Sequence, residues 1–108
     1  MVKGKTKETN ILAEEKSKFL TLADGKDYEI PALNLTTLAN VEKTMGFGLG
    51  QLQDKMVTET ASTLRLIIYA LLKETNPKLD LEETGKLVTF DVMKSVSEVL
   101  SKVLSIAV

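Results

Sequence analysis

From Leu64 to Leu72 the chain carries one charged residue, Arg65, and is otherwise apolar (Leu64, Leu66, Ile67, Ile68, Tyr69, Ala70, Leu71, Leu72). A helix that is apolar on most sides has to lie buried at the centre of its domain. The sequence predicts that helix over about Thr58 to Glu74. Asn76-Pro77 stops it, because proline lacks the N–H and disfavours the helical conformation of the residue before it. The apolar run is far too short to cross a bilayer. The elements around it in the compact domain must therefore cover this one segment. A core of that size does not divide, and an apolar fraction of 44% is ordinary for a single globular unit.

Upstream, residues 18–33 read as a β-hairpin centred on Asp24-Gly25. A two-residue turn would pair Leu22 with Asp27 and Leu20 with Glu29, mixing apolar and acidic groups on one face. A three-residue loop (Ala23, Asp24, Gly25) pairs Leu22 with Lys26 and Leu20 with Tyr28. That register gathers Leu20, Leu22, Tyr28 and Ile30 on one face, and a one-residue slip would exchange the faces. The pattern selects the three-residue loop, with Gly25 as the left-handed residue and Phe19 on the polar face. Pro31 cannot donate to a ladder and closes the strand.

A short helix is predicted over Leu35 to Met45, with Leu35, Leu38, Val41 and Met45 at helical spacing. Asn34 or Thr36 caps its start and Gly46 suits its left-handed stop. After the central helix, Asp80-Leu81-Glu82-Glu83 resembles a capping box and opens a short helix ending near Leu87. The last helix, about Asp91 to Ile106, presents Val92, Val96, Val99, Leu100, Val103 and Ala107 along one stripe. The expected fold class is α+β, predominantly α-helical, with an N-terminal β-hairpin followed by about four helices. Residues 1–17 read as a flexible charged arm and 18–108 as the compact domain.

Missing residue types bound the chemistry. The chain has no cysteine and no histidine. That removes disulfides, thiolate nucleophiles, imidazole metal ligands and the one side chain that ordinarily titrates near neutrality. Acid–base catalysis would fall to carboxylates or lysines with strongly shifted pKa values. No serine is flanked as in a nucleophile elbow. The chain is read as non-enzymatic, without cofactor or metal. With 14 basic and 15 acidic residues, the net charge of −1 gives no field for steering nucleic acid. No secretory or membrane segment is evident, so neither nucleic acid nor membrane is an expected partner.

Three features carry functional readings. Gly46-Phe47-Gly48-Leu49-Gly50 lacks phosphate-loop spacing and follows a helix instead of a strand. Its better reading is a helix stop and a pliable connector, on which Phe47 and Leu49 are candidates for insertion into a partner. Asp80, Glu82 and Glu83 are explained by helix capping, since the N-terminal N–H groups favour negative charge, and calcium-loop spacing is absent. The end of the last helix adds Leu104, Ile106 and Val108 to Val103. Because the central helix already claims the interior, these four are candidates for an exposed apolar surface that binds a partner helix or a second copy.

The order of these pieces resembles the tail assembly chaperones of long-tailed bacteriophages and prophages. The likeness runs through Asp24-Gly25-Lys26-Asp27-Tyr28-Glu29-Ile30 and Leu38-Ala39-Asn40-Val41-Glu42 to Gly46. It continues through Leu64 to Leu72, Asn76-Pro77-Lys78-Leu79-Asp80-Leu81-Glu82-Glu83 and the closing helix, covering about residues 19–105. The resemblance implies a non-catalytic protein that binds the tape measure protein, keeps its apolar helices in solution and helps recruit tail tube subunits. It also implies self-association, a place in the cytoplasm of the bacterial host, and absence from the mature virion. Within that family this chain would correspond to the short form. A structural head–tail joining or tail-completion protein, retained in the virion, is the alternative.

Overall fold

The computed structural model describes residues 19–107, with side chains through Ser105. The arm expected at 1–17 lies outside the described residues. Two short strands, β1 (Phe19–Thr21) and β2 (Asp27–Glu29), form an antiparallel hairpin. Five α-helices follow: α1 (Leu35–Met45), α2 (Leu52–Thr58), α3 (Thr60–Lys73), α4 (Leu81–Leu87) and α5 (Met93–Ala107). Single 3-10 turns at Leu49–Gln51 and Phe90–Val92 lead into α2 and α5. The fold is α+β and predominantly helical.

The hairpin has the register that its apolar pattern demands, with Leu20 opposite Tyr28 and Thr21 opposite Asp27. Gly25 takes a φ of 78°, where a Cβ would be strained. The Asp24 carboxylate accepts the Lys26 N–H at 3.0 Å, closing an Asx turn inside the loop. Leu20, Leu22 and Ile30 are buried, Tyr28 is half-buried, and Phe19 is exposed on the opposite face.

In α1 the Asn34 side chain accepts the N–H of Thr37 at 2.9 Å, and Gly46 stops the helix at a φ of 87°. Leu38, Val41 and Met45 enter the core, but Leu35 is 81% exposed, against the expected stripe. At about 100° per residue, Leu35 points roughly a quarter turn away from the mean direction of the other three. It is also the first residue of the helix, with no earlier turn to lie over.

Helix α3 is the centre that its apolarity requires. Ile67, Ile68, Ala70, Leu71 and Leu72 are buried, and the helix packs against α1, α2 and α4. Each fully buried leucine or isoleucine contributes about 1.5–3 kcal/mol. At its C-terminal end, Asn76 Nδ2 donates to the Leu72 carbonyl at 2.8 Å and the Glu29 carbonyl at 3.0 Å. The Thr75 hydroxyl donates to the same Glu29 oxygen. These bonds fasten the end of β2 to the end of α3. A second tie runs from the Ala23 N–H to the Leu87 carbonyl at 2.9 Å, joining the hairpin loop to α4.

Helix α2 is an element that the sequence pattern does not distinguish. Only Leu52 within it is buried, so the apolar period is weak. Its separation from α3 is a break at Glu59, with φ −137° and ψ 63°. The hydroxyls of Thr58 and Thr60 bond back to the carbonyls of Asp54 and Met56 at 3.2 and 2.6 Å, competing with the backbone around that break. Helix α5 lies against β1 and the 3-10 turn at Leu49–Gln51, burying Val96, Val99, Leu100 and Val103.

Candidate partner-binding surface

Two of the residues expected to meet a partner sit inside the core. Leu49 is 7% exposed and Val103 is fully buried, so neither offers apolar surface in this conformation. The Gly46–Gly50 segment is tied to α1 by a side-chain hydrogen bond. The Glu42 carboxylate of α1 accepts the Leu49 N–H at 2.8 Å, and a Cβ on Gly48 would stand 3.4 Å from that same oxygen. With its N–H held, Leu49 opens a 3-10 turn and lies within the core cluster shared with α5. Phe47 is half-buried against the core, with the Lys55 ammonium 5.4 Å from its ring centroid, a cation–π distance. Leu104 is also half-buried against the core. The side chains of Ile106 and Val108 lie outside the described ones.

Among the described residues, the large exposed apolar groups are elsewhere. Phe90 is 96% exposed, Leu35 and Val57 are 81% exposed, and Phe19 is 48% exposed. Phe90 opens the 3-10 turn that joins α4 to α5. Ala61 and Leu64 of α3, Glu82 and Lys86 of α4, Val88 and Met93 line a groove of about 400 Å³ between α3 and α4. Arg65, the lone charge of the apolar run, also lines this groove, as does Gly85. A Cβ on Gly85 would fall 2.7 Å from Arg65 Cδ, so the glycine lets the arginine stem lie across α4. This keeps the guanidinium of a mostly buried helix in reach of solvent, as long basic side chains commonly do.

The acidic residues are used structurally. Asp80 accepts the Glu83 N–H at 2.7 Å as the cap of α4, and Glu82 pairs with Lys86 at 3.7 Å one turn on. Among the described residues, no three of His, Cys, Asp or Glu come together as a metal site. Tyr28 donates its hydroxyl to Asp24 at 2.6 Å. That hydrogen bond holds the Asp24 carboxyl below its usual range and, together with partial desolvation of the phenol, pushes the Tyr28 pKa up to about 12. A phenol so held donates a hydrogen bond but does not serve as a base near neutrality. Among the described residues, no helix is long and apolar enough to cross a membrane.

Searches of family models, of curated proteins and of solved structures give no match to this chain. The functional reading rests on its own residues and on the resemblance in the order of its elements. Phe90 could not be singled out beforehand, because Phe90-Asp91 lies next to the amphipathic stretch and hydropathy does not separate core from surface. The one available signal was Arg65, a charge inside an apolar run.

Proposed function

We propose that this protein is a non-catalytic tail assembly chaperone that binds the tape measure protein and helps recruit tail tube subunits. The observation that carries this reading is the contrast between a closed core and large apolar side chains held outside it, above all Phe90 at 96% exposure. A protein that keeps another chain's apolar helices in solution has to present such groups without unfolding. The hairpin followed by helices, in the order quoted above for the phage family, supports the same assignment. Self-association and a site of action in the host cytoplasm belong to it.

Coexpression with the tape measure protein of the same phage or prophage is the test. The expected result is a soluble tape measure protein that copurifies with this chain. If the tape measure protein stays insoluble and does not copurify, the chaperone reading fails. Detection of this chain in purified virions would favour the structural head–tail joining role instead.

A further inference from the structure

Phe90 lies in the chain between Val88 and Met93, both of which line the α3–α4 groove, but it does not itself line that groove. Its ring stays outside, almost wholly in solvent. The groove, at about 400 Å³ and open to solvent, has room for a phenyl ring. The charges are complementary as well. Arg65 is exposed on the groove, and among the described residues no carboxylate pairs with it. Glu82 and Lys86, an exposed pair at 3.7 Å, line the same groove, which therefore holds two bases against one acid. Asp91, exposed, directly follows Phe90. The chain thus carries an exposed aromatic group followed by an acid, close in sequence to two residues of an apolar groove whose charged lining is net basic.

A chain with both a projection and a matching recess is self-complementary under a two-fold axis, because one rotation carries each projection to the other recess. We propose that two copies of this chain pair reciprocally through this face. Phe90 of each copy seats in the other's groove against Ala61, Leu64, Val88 and Met93, and Asp91 of each faces Arg65 of the other. Gly85 has a part in this arrangement, since it lets the Arg65 stem lie where the guanidinium meets the incoming acid. The pairing supplies a face for the self-association included in the proposed function, and its test, made on this chain alone, can fail while copurification with the tape measure protein succeeds. Its strength follows from its area. A phenylalanine buries about 150–250 Å², so two rings in two recesses fall below the roughly 1,200 Å² of standard interfaces. The expected dissociation constant is therefore weak, about 0.01–1 mM.

The chain has no tryptophan, so Phe90→Trp places a sole indole reporter at the contact. Full-length F90W is followed by emission and by sedimentation from about 1 µM to about 1 mM, the span over which so weak a pairing saturates. The expected result is red-shifted emission when dilute, turning blue as the protein converts from monomer to dimer. F90S should weaken dimerisation by at least about tenfold. Asp91→Arg and Arg65→Glu should each stay monomeric alone, because both contacts then join like charges. Mixed in equal amounts they should form a heterodimer, in which both contacts join opposite charges. Blue emission independent of concentration would mean that the chain's own residues cover position 90, and it overturns the proposal. Red emission throughout, an F90S dimer as tight as wild type, or a mixture no tighter than its components overturns it equally.

Discussion

Gly85→Ala isolates the fit between α3 and α4. Gly85 lies within α4 with no left-handed φ, so alanine fits its backbone. Glycine is less favourable than alanine inside a helix by about 0.8–1.0 kcal/mol, which is the gain expected from propensity alone. Against it stands one neighbour. The three heavy atoms nearest a Cβ at this position all belong to Arg65, with Cδ at 2.7 Å and Cγ at 3.4 Å. The stem must leave its place, at a cost of about 0.5–1.5 kcal/mol for a displaced rotamer. The two effects nearly cancel, so Gly85→Ala alone should change stability by no more than about 0.5 kcal/mol. In an Arg65→Ala background the obstacle is gone and the full gain of about 1 kcal/mol appears. The coupling of about 1 kcal/mol is what a double-mutant cycle measures. Urea unfolding followed by circular dichroism is suited to it, and in a domain of this size 1 kcal/mol corresponds to about 4–8 °C in Tm. Equal stabilisation by Gly85→Ala in both backgrounds would refute the reasoning, since the Arg65 stem would then not be what the glycine accommodates.

Ile67→Ala, at a fully buried position of α3, should cost about 2–5 kcal/mol in urea unfolding, whereas Leu35→Ala should stay within about 0.5 kcal/mol. Comparable effects at the two positions would contradict the placement of the core. The phenol of Tyr28 keeps its proton in the fold, with a pKa of about 12 against about 10 for an unfolded tyrosine. Its contribution to stability is full below about pH 10 and is lost as pH rises through about 12. In a Tyr69→Phe background the phenolate absorbance should follow that raised value, and Asp24→Asn should bring it back toward about 10. A titration unmoved by Asp24→Asn would show that the hydrogen bond is not the cause.

Local chemistry made much of the fold legible. The hairpin register follows from period two, since only the three-residue loop puts Leu20, Leu22 and Ile30 on one face. The ends of α1 and α4 follow from side chains acting within a few residues of themselves: Asn34 and Asp80 as caps, Gly46 as a left-handed stop. The candidate surface was less legible. Phe47 and Leu49 look like a mobile apolar loop in the sequence, yet the bond that orders them comes from Glu42, seven residues before Leu49, and the core that receives Leu49 is shared with α5. Helix α2 escaped for a related reason, since with one buried residue it leaves no clear period.

Arg65 marks the division between what the residues determine and what the assembled fold decides. By itself the run Leu64 to Leu72 determined that a helix would lie at the centre of this domain, because apolar surface on most sides of a helix has nowhere else to go. It also exposed one charge that the centre could not take. Where that charge emerges was decided only when α4 came to lie across α3 with Gly85 beneath the arginine stem. The exposure of Phe90 and the burial of Val103 were decided in the same way. Both are apolar residues near one amphipathic helix, and only the packing of that helix on β1 and the Leu49 turn separates them. Periodicity reports which side chains share a face, but which faces find a neighbour depends on contacts distant in the chain.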